Sequence, residues 1–225
     1  MLSPIDLCYT SIGLLFILKI KTMINLQFNY SSEYEVQRVK NTLNKLAWFK
    51  EQGYRLSLPK GLSLDGDNLV DEKFIKISVV SEYNENDYKQ VIEMVNEQWL
   101  KYSSILEKYF LETNIKSKDN YEVKLTRYGV GGSYNLPNTI IINIQAHYEV
   151  GLIKTIIHEI IHLSIQGLIE KYEVEHWQKE RIVDLILDKY FPQINKMQDV
   201  PIDTKMIDGS FEKNYPNIEE VIKGL

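Results

Sequence analysis

The chain has 225 residues, 44% hydrophobic and 25% charged, with a formal net charge of -5. That composition fits one soluble globular domain, offers no basic footprint for nucleic acid and disfavours a role on anionic membranes. The single Cys8 excludes an internal disulfide and a cysteine-based zinc cluster, so any metal must be held by His and carboxylate.

Residues 1–22 read as a leader. Leu7 to Leu18 is uncharged and largely apolar, yet shorter than a bilayer span requires. Asp6 precedes it and Lys19 and Lys21 follow, which is not the basic start and small-residue cleavage site of a signal peptide. A membrane anchor is expected only through residues 7–18. The other reading is an extra extension ahead of a start at Met23. Residues 23–225 read as a single domain, cytoplasmic by preference, with a C-terminal tail from about residue 193.

Ile24 to Phe28 alternates and predicts a short strand. Ser31 or Ser32 is a natural N-cap, with Glu33 and Glu35 in the first turn, and the spacing of Val36, Val39, Leu43, Leu46 and Ala47 predicts one helix from about Ser32 to Gln52, stopped by Gly53. Residues 59–68 read as a loop, and the alternation of Phe74 to Val80 predicts a strand. Val91, Val95, Trp99, Tyr102, Leu106 and Tyr109 mark one face of a long helix over residues 85–112. Strands are predicted at residues 121–128 and 138–144, with a Gly-rich loop between them from Gly129 to Pro137. The most apolar run of the chain follows, then a second helix from about Val174 to Tyr190, closed by Phe191-Pro192, and a short helix at Ile218 to Lys223. The fold class is α+β: a small mixed sheet packed on one central helix, with a second helix behind it.

That apolar run contains His158-Glu159-Ile160-Ile161-His162, an H-E-x-x-H motif. On a helix, residues four apart sit one turn apart on one face, so both imidazoles can meet one zinc ion while Glu159 reaches a water beside it as general base. Apolar flanks on all sides predict a buried helix, where His and Glu are costly unless paired or metal-bound. Two imidazoles hold zinc weakly, and a catalytic site needs a third protein ligand. The helix at 174–190 offers Glu180, with Glu173, Glu175 and His176 as rivals. Asp184, one turn after Glu180, falls in an apolar segment and needs a partner. A metal-bound His needs a carboxylate on its second nitrogen. Glu180 is therefore expected to bind zinc and Asp184 to orient His158.

H-E-x-x-H followed by a helix bearing E-x-x-x-D resembles the gluzincins, the thermolysin-like zinc metallopeptidases, over about Asn138 to Asp188. The resemblance implies a compact zincin-like fold and one zinc ion held by His158, His162 and Glu180. It implies Glu159 as the general base and Asp184 as support for His158. The strand before the motif, with Asn143, resembles the family's substrate-binding edge strand, and a peptide or protein substrate is implied. Lys179 stands where the family customarily has Asn, and the substrate-orienting His or Tyr has no clear match, which leaves His176, Tyr172 or a tail residue for that role. Two other readings share this scaffold. One is an inactive zinc-bearing or peptide-binding protein. The other is a latent peptidase whose tail, through Asp203, Asp208 or Glu212, fills the cleft.

Overall fold

The computed structural model describes residues 24–62, 71–145 and 149–225, so the expected leader and its apolar stretch lie outside the described residues. Four strands, β1 (Asn25–Asn29), β2 (Asn120–Thr126), β3 (Gly132–Asn135) and β4 (Thr139–Asn143), form one mixed sheet in the order β1-β2-β4-β3. β1, β2 and β4 are parallel and β3 runs antiparallel to β4 at the edge. Among the described residues there are eight helices: α1 (Ser32–Asn44), α2 (Leu46–Glu51), α3 (Glu72–Glu82), α4 (Glu85–Thr113), α5 (Glu149–Lys171), α6 (His176–Tyr190), α7 (Lys205–Asn214) and α8 (Ile218–Lys223). The class is mixed α and β with a small mixed sheet, as composition and pattern predict.

α5 is the centre of the core. Ile153, Ile156, Ile157, Ile160, Ile161 and Ile165 are fully buried against α4, α6 and the inner sheet face of Val123, Leu125, Ile140 and Ile142. Isoleucine is a middling helix former, costing up to roughly 0.7 kcal/mol per residue. Burial of each side chain returns about 1.5–3 kcal/mol. Tertiary packing therefore decides that this β-branched run is helical. Residues 151–171 are also long and apolar enough to cross a membrane, but 61% of the most apolar window is buried inside the domain, as in a core helix.

Several expectations change. Phe74 to Val80 is not a strand but the middle of α3. Asp71 caps it by accepting from the Lys73 amide at 3.0 Å, and Ile75, Ser78 and Val79 turn inward at helical spacing. The predicted helix from Ser32 to Gln52 is broken at Lys45 into α1 and α2, and that bend carries Trp48 and Phe49 to the cleft described below. The Gly129 to Pro137 loop contains β3. The expected tail from 193 holds α7 and α8, whose Ile207, Ile218 and Ile222 belong to the main core. An Arg181–Asp208 fork, at 2.7 and 2.8 Å, ties α7 to α6.

One buried acid fastens α1 to the sheet. Glu35 accepts from Tyr88 Oη on α4, from Thr126 Oγ1 at 2.5 Å and from the Arg127 amide at 2.8 Å. Burial pushes its carboxyl above the ordinary value even with these donors.

Candidate metal centre

α5 presents His158, Glu159 and His162, and α6 presents Glu180. The turn between the helices is tight because Glu173 adopts a left-handed conformation (φ 52°), and α6 opens with a reciprocal capping box between Glu175 and Gln178. These devices bring Glu180 back onto the motif. His158 Nε2 and His162 Nε2 lie 2.8 Å apart, and Glu180 Oε2 lies 3.2 Å from the first and 3.3 Å from the second. All three side chains are buried. Among the described residues this is the one group of three or more His, Cys, Asp or Glu whose donor atoms fall within 4.8 Å of one another.

The donor set fits a divalent cation. Burial drives the His162 imidazole down to about 4, with the His158 charge adding to the effect, so His162 is neutral at pH 7 and offers a lone pair. Burial also works against a charged His158, but the Glu180 hydrogen bond and the charges of Glu159, Glu180 and Asp184 outweigh it and hold that imidazole above its ordinary value. Burial would raise Glu180, yet the two imidazoles hold its carboxyl well below the ordinary range. Two ring nitrogens and a desolvated carboxylate oxygen face one point. A proton serves one pair of atoms, whereas a cation serves all three.

The centre lies in a cavity of about 520 Å³. Its walls are Trp48, Phe49 and Tyr54 on one side, residues 130–134 on another, and His176, Lys179 and Gln198 on the third. Glu159 is buried beside it, and burial, reinforced by the nearby Glu180 charge, pushes its carboxyl up to about 7. Gly132 makes room for that carboxylate, since a Cβ there would meet Thr155 Cγ2 at 2.4 Å and Glu159 Oε1 at 2.5 Å. Gly132→Ala is therefore expected to destabilise the fold by about 1–3 kcal/mol through overpacking and to swing Glu159 off its position. A denaturant melt combined with a hydrolysis assay checks both effects.

The remaining expected residues fall differently. Asp184 is fully buried, but its Oδ2 accepts the Gln198 amide at 2.5 Å and its Oδ1 has no hydrogen-bond partner. It acts on His158 through its charge and holds the 195–198 segment at the cavity wall. Asn143 does not face the cleft. It is fully buried, donates to Gly129 O at 3.2 Å and accepts from the Gln145 amide at 2.9 Å, so it props the turn that follows β2. β4, expected as the substrate edge, lies inside the sheet, and β3 takes the edge. His176 does line the cavity. Its Nε2 pairs with Tyr54 Oη at 2.9 Å, and its Nδ1 lies 3.8 Å from Glu180 Oε1. None of the three tail acids lines the cavity: Asp208 pairs with Arg181, Asp203 accepts the Lys205 amide, and Glu212 is exposed.

The structure adds residues that pattern reading missed. The Tyr134 ring stacks on His162 (centroids 5.3 Å apart, planes 17° from parallel), and its hydroxyl donates to Gln166 at 2.6 Å and accepts from Lys179 Nζ at 3.3 Å. Tyr54 and Trp48 come from the broken helix region. The one sequence signal for Tyr134 was the Gly131-Gly132 pair ahead of it, which marks close backbone approach. Comparison with protein-family models, curated proteins and solved structures returns no match.

Proposed function

We propose that this protein is a gluzincin-type, zinc-dependent peptidase. The observation that carries the reading is the convergence of His158, His162 and Glu180 on one point, with Glu159 beside it but outside the ligand set, in a cavity bordered by a sheet edge. His158, His162 and Glu180 would hold the zinc ion, which would supply Lewis acidity toward a water and a carbonyl when bound.

The protein's own residues do the rest. β3 offers its outer backbone edge to an extended peptide. Glu159 takes the proton of the attacking water and passes it to the leaving amine. Its raised pKa leaves it ready for either step near neutral pH. Tyr54 and His176, joined by one hydrogen bond, face the cleft next to Glu180. Burial holds the Tyr54 phenol well above its ordinary value, so it stays protonated and able to donate to a developing oxyanion. Tyr134 fixes the His162 ring plane. The single cysteine and the mostly buried apolar helix favour the cytoplasm as its compartment.

The test is hydrolysis of a denatured protein by the purified chain, before and after chelation. Turnover is expected to vanish with a chelator and return on adding one equivalent of zinc. Stoichiometric zinc with no cleavage of any unfolded protein would favour the inactive metal-bearing alternative, and turnover indifferent to chelation would remove the metal from the chemistry.

A further inference from the structure

A second cavity, of about 770 Å³, lies along the groove between α1, α2 and the β3 edge. It shares Trp48, Phe49, Ser133 and Tyr134 with the metal cavity, so the two cavities adjoin beside β3. Arg38 lines it and is 9% exposed. Its guanidinium lies flat over Gly129 (φ +87°), where a Cβ would sit 2.6 Å from Nη2. It donates from Nε to Tyr128 O at 3.3 Å and from Nη2 to Ser133 Oγ at 3.5 Å. Both acceptors are neutral and both bonds are long.

Among the described residues no carboxylate pairs with Arg38. The closest candidate, Glu35, has its oxygens taken by Tyr88, Thr126 and the Arg127 amide. Glu35 and Glu159 reach Arg38 only through space. A buried guanidinium without a carboxylate is costly, and its planar fork is built to take one. Lys45, exposed at the bend between α1 and α2 and with no ion pair among the described residues, adds a second positive charge to the same groove, and Asn41 and Asn44 add amides.

We infer that this groove is an anion-reading subsite, in which Arg38 and Lys45 hold the carboxylate of an acidic residue in a peptide lying along β3. The inference rests on the peptidase reading for the orientation of the ligand, and it narrows the substrate class to acidic peptides. A phosphorylated side chain carries the same chemistry, so the test separates the two.

The experiment uses the full chain carrying Glu159→Gln, loaded with zinc. The probes are fluorescent decapeptides of Ala, Ser and Gly in which one Glu is walked along the sequence, with Gln and phosphoserine twins at each position. Binding is read by anisotropy at low salt and at roughly 0.15 M salt. At one position the Glu peptide is expected to bind about tenfold or more tightly than its Gln twin. Lys45→Ala, at an exposed site outside the core, should shrink that ratio, and Arg38→Gln should abolish it. A melting curve for each variant separates a lost contact from a lost fold.

Equal binding of Glu and Gln at every position would overturn the inference, as would a preference left undiminished by Lys45→Ala or one that survives Arg38→Gln in the folded protein. A phosphoserine preference with Glu no better than Gln would overturn the carboxylate assignment and point to phosphate. Because Glu159→Gln is expected to turn over far more slowly than the parent, binding is read with little interference from cleavage. A chain that shows the Glu preference but never hydrolyses in its wild-type form would end the peptidase reading and leave the subsite standing.

Discussion

Glu159→Gln is expected to keep its zinc and to lose about 10³-fold in kcat, with KM little changed. A positioned general base contributes roughly 10²–10⁴-fold, and Gln keeps the size and one carbonyl oxygen while losing the ability to accept a proton. Metal analysis and steady-state kinetics on the same preparation read both halves of the statement. A variant that retains wild-type turnover would remove Glu159 from the chemistry. The same change has a consequence for stability. Burial raises the Glu159 carboxyl from the ordinary 4.5 to about 7. Its folded pKa exceeds its unfolded one, so its contribution is fully present below about 4.5 and is lost as pH rises through 7. Metal-free Glu159→Gln should therefore melt higher than the metal-free parent at pH 8, and the gap should close as the medium is acidified below 4.5.

Glu180→Ala is expected to weaken zinc binding by more than 100-fold, beyond the roughly 10–100-fold typical of changes to residues that merely support a ligand. Two imidazoles remain, and the buried pair loses the carboxylate that organises it. Competition with a chromogenic chelator gives the affinity, and the rise in Tm on adding zinc that is expected of the parent should disappear. The pH course follows from the same groups. His162, at about 4, is already unprotonated at neutral pH, whereas His158 is held above its ordinary 6.5 by Glu180 and must give up its proton to the metal. Zinc is thus expected to leave the parent as pH falls below neutral, driven by His158. Without the Glu180 carboxylate, His158 loses its main support and that dependence moves to lower pH.

The ligand-bearing part of the molecule was legible because its signals are local. His158, Glu159 and His162 need only one turn of helix, and Glu180 needs only a second helix close behind. The same locality made β1 and β2 readable from alternation and β4 from its run of β-branched residues. What failed depends on distant context. Phe74 to Val80 fits both periods, and only the Asp71 cap and the core contacts of Ile75 and Val79 choose the helix. β3 is four residues long and exists because β4 lies beside it. Asn143 stands at the end of a strand whose place in the sheet order no local pattern fixes, so a buried prop was taken for a substrate contact. Asp184 was correctly read as a buried acid, but its direct partner is a backbone amide 14 residues onward. Tyr54, Tyr134 and Arg38 reach the cleft through long-range packing, which spacing alone does not disclose.

The three candidate ligand side chains sit on a single helical hairpin: the two imidazoles are 4 residues apart, and His162 and Glu180 are 18 apart. Closing so short a loop carries a small entropic penalty, so on the zinc reading even a denatured chain would keep these donors near one another and retain some grip on the ion. A cation that is held in both states lifts the folding equilibrium by less than its affinity for the native form alone would give. On the same reading, that proximity would let an ion capture its hairpin early in synthesis or refolding, before the α7 and α8 segment that completes the core has emerged.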